Sequence, residues 1–291
     1  MSLACIHVHT SFCDGQDDVE TCCRSAYQKG LASLGFSAHA PVEKKTGIKS
    51  SWNLLEKDLE PYLQEVRKAQ KRWKDKLIIF LGLEVDYISG LMGPADRDYH
   101  EMGLDYIIAG VHYLVPPRGP PFTVDNSREK VEQGLKEGYG GDALAMTGAY
   151  YAALGDLINS GGFDLLVHPD LVKKNNGGNY FFSEEDEGYI RQRSAIPPLL
   201  AQEGIPAEVN TGGMIRQKIH DCYPSAPFLR QFRECSVPMV INSDAHKAED
   251  LDGYYNEAIR AMTEAGYTET LIFGGREEGR PLWRPITLGS P

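Results

Sequence analysis

Short apolar runs alternate along the chain with longer segments in which apolar residues recur at helical spacing. The short runs predict buried strands at residues 3–8, 32–37, 77–85, 106–111, 163–167, 205–209 and 237–241. The longer segments predict helices, the clearest at residues 19–29, 54–74, 144–159, 190–202, 227–233 and 255–265. Strands that alternate with helices in this way indicate βαβ units and a parallel sheet.

The number of predicted strands favours a closed or nearly closed barrel over a doubly wound sheet. No G-x-G-x-x-G motif follows the first strand, where a dinucleotide-binding sheet would place one. No Pro-, Ser- or Gly-rich linker divides the chain, and residues 116–121 and 175–179 are interpreted as surface loops. We therefore expect an α/β barrel formed by a single domain over residues 1–291.

Composition and charge narrow the range of partners. The net charge of −11 argues against nucleic acid and anionic membranes, because both need a basic face. A small phosphorylated substrate is compatible with it, since bound divalent metals can invert the local field. No apolar run approaches the roughly 18–20 residues of a spanning helix, and no signal peptide is recognisable. The six scattered cysteines indicate reduced thiols, so we expect a cytoplasmic protein. The acidic surface fits a monomer and an oligomer equally well.

Polar residues stand at the C-terminal ends of all the predicted strands, the edge at which a barrel of this kind builds its site. His100 and His220 lie elsewhere and are interpreted as surface residues, but the other six of the eight histidines fall at these ends. The residues concerned are His7, His9, Asp14, His39, Glu84, His112, His168, Asp170, Glu208, Asn210, Asp244 and His246.

This residue set suits a metal-dependent hydrolase. Imidazole and carboxylate ligands together fit Zn, Mn and Fe, and a few protein ligands per ion leave a position for water. A carboxylate such as Glu84 can bridge two ions about 3.5–4 Å apart, which turns water into hydroxide at neutral pH. Singly, each group has a structural explanation: His168 could cap its strand, and Asp244 and His246 could share a hydrogen bond. The presence of one such group at every strand end favours a metal site over these separate structural explanations.

The motifs resemble those of the PHP (polymerase and histidinol phosphatase) family over essentially the whole chain. The resemblance is carried by His7-x-His9, Asp14, His39, Glu84, His112, His168 and Asp244-x-His246. It implies a distorted seven-stranded β/α barrel, (β/α)7, that binds two or three divalent ions. It further implies one ion on His7, His9, Glu84 and Asp244, a second on Glu84, His112 and His168, and a third on Asp14, His39 and His246.

The histidinol-phosphatase branch of the family is the most similar, through residues 110–113, 163–171, 208–213 and 223–225. It implies hydrolysis of a phosphate monoester, with L-histidinol phosphate as the favoured substrate and a metal-bridging hydroxide as the nucleophile. In that picture Glu84 bridges the ions, and Asp244 or a metal-bound water protonates the leaving alkoxide.

The same resemblance suggests the substrate contacts. Arg216 would pair with the phosphate, assisted by Lys174. The branch often has Arg where this chain has Lys173 and Lys174, and Lys lacks the bidentate fork. The remaining predicted substrate residues are Glu208 and Asn210, which would receive an ammonium group, and Tyr113.

Three alternatives remain open at this point. An amidohydrolase-type barrel also opens with H-x-H, but it bridges its ions with a modified Lys and closes with a lone Asp. A phosphatase or phosphodiesterase of the same family could act on nucleotides or phosphotyrosine. A non-catalytic metal-binding module of a polymerase-like assembly would be favoured by a missing ligand, and here the ligand set is intact.

Overall fold

The computed structural model describes residues 3–289, so the ends of the predicted domain, residues 1, 2, 290 and 291, lie outside the described part. The helices are α1 (Val19–Lys29), α2 (Glu43–Thr46), α3 (Glu56–Trp73), α4 (Arg97–Glu101), α5 (Arg128–Tyr139), α6 (Ala143–Ser160), α7 (Glu187–Ser194), α8 (Ile196–Glu203), α9 (Gly212–Ile215), α10 (Ala226–Glu234) and α11 (Tyr255–Glu264). The strands are β1 (Ser33–His39), β2 (Ile78–Asp86), β3 (Tyr106–Gly110), β4 (Tyr113–Leu114), β5 (Phe122–Thr123), β6 (Leu165–Leu166), β7 (Ala207–Asn210), β8 (Met239–Asn242), β9 (Glu269–Glu277) and β10 (Arg280–Thr287).

Six of these strands form a curled parallel sheet in the order β1-β2-β3-β6-β7-β8. The segment before α1 joins its two edges, because Cys5 bridges Leu34 of β1 and Val8 bridges Ala245 just after β8. Both bridges are parallel. The predicted α/β fold and its barrel-like parallel sheet are therefore confirmed.

The first predicted strand, residues 3–8, differs from the prediction because it forms isolated bridges and no continuous ladder. Side chains take the place of backbone acceptors along it. The amide of Ile6 donates to Asn242 Oδ1 at 2.8 Å, and the amide of Val8 donates to Ser37 Oγ at 3.0 Å. The sheet ladder thus contains six strands, and a seventh, irregular segment closes the ring.

The interior of the barrel is filled around Tyr106, which is fully buried and donates its hydroxyl to the carbonyl of Ile6 at 2.6 Å. Its ring has room because residue 82 is glycine: a Cβ there would lie 2.5 Å from the ring. The β9–β10 hairpin, which the sequence did not predict, adds Phe273 to the same apolar cluster. Phe273 contacts Phe80 and Tyr106 near the beginnings of their strands, so the hairpin seals the N-terminal end of the barrel.

The outer helices follow the predicted segments, with one division. The helix predicted at residues 190–202 is two helices, α7 and α8, which meet at Ala195. Pro197 and Pro198 explain the break, since each lacks an amide proton and its ring clashes with the carbonyl four residues earlier. Residues 116–121 form the loop between β4 and β5, and His100 and His220 are exposed, as predicted.

Within residues 3–289, no helix combines the length and the apolar character that crossing a membrane requires.

Candidate metal centre

The carboxyl ends of the parallel strands deliver the predicted ligands to one edge of the barrel, as expected for this architecture. β1 ends at His39, and Glu84 lies two residues before the end of β2. His112, His168 and Asp244 each follow a strand end by two residues. All five side chains are buried.

Two of these turns hold their residues in the left-handed region of backbone space. His168 has φ of 29° and Asp244 has φ of 51°. Aspartate and histidine adopt positive φ more often than most residues, but the φ of His168 lies outside the usual left-handed range of about 50–70°. Such strain is kept where the surrounding structure fixes it. The backbone conformation of the turn after β6 therefore sets the position of the His168 ring.

Glu84 lies at the centre of the site with its carboxylate surrounded by imidazoles. Its two oxygens are 2.9 Å from His168 Nε2 and 3.0 Å from His39 Nδ1. Three further ring nitrogens lie within 3.7 Å: His7 Nε2 at 3.2 Å, His9 Nε2 at 3.4 Å and His112 Nε2 at 3.7 Å. A carboxylate in this position could bridge ions that the same histidines could hold.

Neighbouring positive charges stabilise the ionised form of two buried carboxylates of the site, those of Glu84 and Asp244. Burial alone would raise the pKa of Glu84, but His39, His7 and His112 lower it well below its usual value. Burial likewise opposes ionisation of Asp244, and Arg216 with His7 lowers its pKa well below the ordinary range. Both carboxylates are therefore ionised at neutral pH.

Two histidines of the site have pKa values that are shifted in opposite directions. Burial would lower the pKa of His112, but Asp86 and Glu84 outweigh it and raise that pKa to about 10. His9 is the opposite case, because burial and the neighbouring His39 and His246 lower its pKa to about 3. At neutral pH the His112 imidazole is therefore protonated and charged, whereas the His9 imidazole is neutral.

The donor atoms fit divalent metal ions. Four groups of three or four ligand atoms lie within 4.8 Å of one another: His9, Asp14, His39 and His246; His7, Glu84 and His168; His7, His9 and Asp244; and His39, Asp86 and His112. His9 Nε2, His39 Nδ1 and Asp14 Oδ1 are buried and make no hydrogen bond. Buried polar atoms of this kind need a partner, and a cation supplies one.

All nine predicted ligands fall in these groups, which also include Asp86. The groups overlap, since His7 and His9 each belong to two of them and His39 is shared between two. The division into three separate ions that the resemblance implies stays a prediction.

The structure also shows two carboxylates that accept a hydrogen bond from the second ring nitrogen of a predicted histidine ligand. His112 Nδ1 donates to Asp86 Oδ1 at 2.7 Å, and His7 Nδ1 donates to Glu208 Oε1 at 2.8 Å. Sequence reasoning missed Asp86, although it follows Glu84 by two residues and so shares its face of β2.

Glu208 and Asn210 were predicted to receive a substrate ammonium group, and their placement corrects that prediction. Both are 0% exposed. Glu208 Oε2 accepts hydrogen bonds from the His168 amide at 3.1 Å and from Asn210 Nδ2 at 2.8 Å, while its other oxygen is held by His7. With no surface and no free oxygen, Glu208 positions ligands instead of contacting substrate.

A cleft of about 730 Å³ opens above the ligands, and both predicted phosphate-binding side chains line it. Arg216 donates from Nη2 to Asp244 Oδ2 at 2.7 Å and from Nη1 to His246 Nδ1 at 3.1 Å. Lys174 pairs with Asp125, with 3.2 Å between Nζ and Oδ2. These two cations line the cleft together with Arg128, Lys130 and Lys218, next to the imidazole and carboxylate cluster.

Tyr113, the remaining predicted substrate residue, lies behind the cleft wall. It is buried, its hydroxyl donates to Asn53 Oδ1 at 3.1 Å, and its ring stacks on Trp52 with centroids 5.3 Å apart. Trp52 in turn lines the cleft and packs edge-on against His39 at 4.5 Å. Trp52 and Asp125 were not predicted, since both lie in irregular segments without a recognisable pattern.

Comparisons with known proteins find relatives along most of the chain. The family model described as PHP domain matches residues 6–191. Histidinol-phosphatase from Bacillus subtilis is 28% identical over 271 residues, which cover 87% of this chain and 96% of the relative.

Two solved structures share the fold. One from Listeria monocytogenes has a TM-score of 0.75 at 22% identity and covers 87% of this chain and 99% of its own. Histidinol phosphate phosphatase from Lactococcus lactis, solved with zinc, L-histidinol and phosphate, has a TM-score of 0.66 at 19% identity. That alignment covers 94% of this chain and 97% of the Lactococcus chain.

Proposed function

The chain belongs to the PHP domain family, and from that premise we propose that it is a metal-dependent phosphomonoesterase acting on L-histidinol phosphate. The observation that carries the proposal is the ring of imidazoles around Glu84, which opens into a cleft that also holds Arg216 and Lys174. Such a site combines metal ligands with cations for a phosphate.

The residues fit two or three ions of Zn, Mn or Fe, which the predicted ligands, with Glu84 at their centre, would hold. Bound ions would polarise the phosphoryl oxygens and lower the pKa of a water molecule to near neutrality. The protein's own contribution is to fix the ligands, and the carboxylates of Asp86 and Glu208 orient two of the imidazoles for that purpose.

Arg216 and Lys174 would stabilise the charge on the phosphate. Arg216 already donates hydrogen bonds to Asp244 and His246, so it positions one ligand of the first predicted ion and one ligand of the third, and its side chain lines the cleft. Because Arg216 keeps Asp244 ionised, we propose Asp244 as a ligand and no longer as the proton donor to the leaving alkoxide.

The choice of substrate is supported by the relatives, one named histidinol-phosphatase and one solved with L-histidinol and phosphate. It is also compatible with the cleft, whose volume exceeds that of a bare phosphate and leaves space for the alcohol.

The test is a comparison of phosphate esters on protein stripped with a chelator and reloaded with Mn or Zn. We expect L-histidinol phosphate to give a higher kcat/KM than AMP, phosphotyrosine or p-nitrophenyl phosphate, and activity to disappear on chelation. His9→Ala should lose metal and activity, whereas His220→Ala, at an exposed histidine, should keep both. If no ester is hydrolysed and His9→Ala leaves the metal content unchanged, the proposal fails.

A further inference from the structure

We propose that Asp125 receives the ammonium group of an amino-alcohol phosphate and so sets the specificity of the site. This inference rests on the proposed function and replaces the role that the sequence suggested for Glu208 and Asn210. It concerns substrate recognition, and Asp125 belongs to none of the candidate metal groups.

Asp125 is placed beside the ligands by the β4–β5 hairpin. The amide of Val124 donates to the carbonyl of His112 at 2.9 Å, which ties the end of β5 to a predicted ligand. Asp125 is the next residue, and its side chain lines the cleft together with His112 and Arg216. A group bound at the metal ligands is therefore within the same cavity as the Asp125 carboxylate.

One oxygen of Asp125 remains available. Oδ2 accepts from Lys174 Nζ at 3.2 Å, and Oδ1 has no hydrogen-bond or ion-pair partner in the described part of the chain. The side chain is 23% exposed, so a ligand can reach it while much of the surrounding water is excluded. Charge-assisted hydrogen bonds gain strength in such surroundings.

The other carboxylates of the cleft are less suited to this role. Asp14, Glu84 and Asp244 are predicted metal ligands, and Glu129 lies exposed in the first turn of α5. Asp125 is the partly sheltered carboxylate in the cleft wall that is not committed to the candidate metal groups.

The pairing with Lys174 gives the wall two opposite charges next to each other. In an amino-alcohol phosphate such as L-histidinol phosphate, only two carbons separate the ester oxygen from the nitrogen. Phosphate and ammonium therefore lie close together, and a neighbouring lysine and aspartate match both. A phosphate ester without the ammonium group would satisfy Lys174 and leave Asp125 without a ligand.

The test compares two esters on metal-loaded protein: L-histidinol phosphate and its des-amino analogue, 3-(imidazol-4-yl)propyl phosphate. We expect the wild type to prefer the amino ester. Asp125→Asn should lower kcat/KM for the amino ester by about tenfold or more, and change that for the des-amino ester by less than about twofold. Glu129→Gln, which removes an exposed carboxylate from the same cleft, is the matched control and should leave the preference intact.

Other outcomes separate the two proposals. An equal loss on both esters, or an unchanged preference in Asp125→Asn, would overturn the ammonium role and leave the phosphatase activity standing. A wild-type protein that hydrolyses neither ester would overturn the proposed function itself. Inhibition by the product L-histidinol gives a second readout, and it should weaken in Asp125→Asn with the folded state verified by circular dichroism.

Discussion

At the scale of single residues, buried carboxylates orient two of the predicted histidine ligands through hydrogen bonds. His7 and His112 both use their second ring nitrogen to donate to a buried carboxylate, Glu208 and Asp86 respectively. Such outer partners fix the tautomer and direction of a ligating imidazole. The orientation of these rings is thus built into the protein.

Replacing Asp86 by Asn tests this arrangement. The side chain keeps its shape but loses the charge that directs His112, so we expect metal affinity to fall by about 10–100-fold. Competition with a chromophoric zinc chelator measures the affinity. Asp98→Asn serves as the control, because that carboxylate is 70% exposed and belongs to none of the candidate metal groups. Equal affinities in both variants and the wild type would contradict the role of Asp86.

The same scale shows what a sequence can reveal about a site. Ligands at strand ends were predictable, because parallel strands bring their carboxyl ends together whatever the details of packing. Asp86 could have been predicted by the same reasoning, because it is the last residue of β2. Trp52 and Asp125 were not, since their positions depend on loops whose paths are set by tertiary contacts such as the stacking of Trp52 on Tyr113.

At the scale of elements, the least predictable part is the β9–β10 hairpin. Its burial is irregular, with Phe273 deeply buried and its neighbours only partly covered, so it lacks the strict alternation of a half-buried strand. Its position becomes clear only from the barrel, whose N-terminal end it closes. The α7–α8 break was readable in principle, because two prolines follow Ala195.

Phe273→Ala should therefore destabilise the fold while sparing the metal centre. Phe273 is 1% exposed and packs on Phe80, Tyr106 and Trp283, so truncation leaves a cavity. We expect the free energy of unfolding to fall by about 3–5 kcal/mol, measured by urea denaturation.

Metal content per folded molecule should stay unchanged, since the hairpin lies at the opposite end of the barrel. Ile78→Ala, at a side chain that is 58% exposed, gives the surface reference and should cost far less. A loss of metal in Phe273→Ala while the protein is still folded would show that the two ends are coupled.

At the scale of the whole molecule, the alternating pattern predicted the fold class because a parallel sheet needs a crossover for each strand. It did not predict how the ring closes. Beside the bridges of Cys5 and Val8, the amides of Ile6 and Val8 donate to side-chain oxygens of Asn242 and Ser37, which are distant in sequence and cannot be found from a local pattern.

The opposite pKa shifts of His9 and His112 predict a pH of maximum stability for the chelator-treated protein. The folded pKa of His112 is about 10 against an ordinary 6.5, so its contribution is full below pH 6.5 and is lost as the pH rises towards 10. The folded pKa of His9 is about 3 against 6.5, so its contribution is lost as the pH falls below 6.5.

We therefore expect the chelator-treated protein to unfold at the highest urea concentration near pH 6.5, the ordinary pKa of both histidines. Urea titrations at about pH 5, 6.5 and 9 would measure it, given that pKa differences translate into pH-dependent stability. His112→Asn should flatten the alkaline side of the profile and His100→Asn, at an exposed histidine, should not. A stability that keeps rising from neutral to alkaline pH would refute this assignment of charges.

The contact between Val8 and Ala245 also bears on how the protein is made. Ribosomes release the chain from its N-terminus, so His7 and His9 emerge early, while Asp244 and His246 follow some 235 residues later. During most of synthesis the nascent chain therefore holds an incomplete set of metal-binding side chains beside an open sheet edge. The ring can close and the donor set can become complete only after β8, the last strand of the parallel sheet, and residues 244–246 have been synthesised.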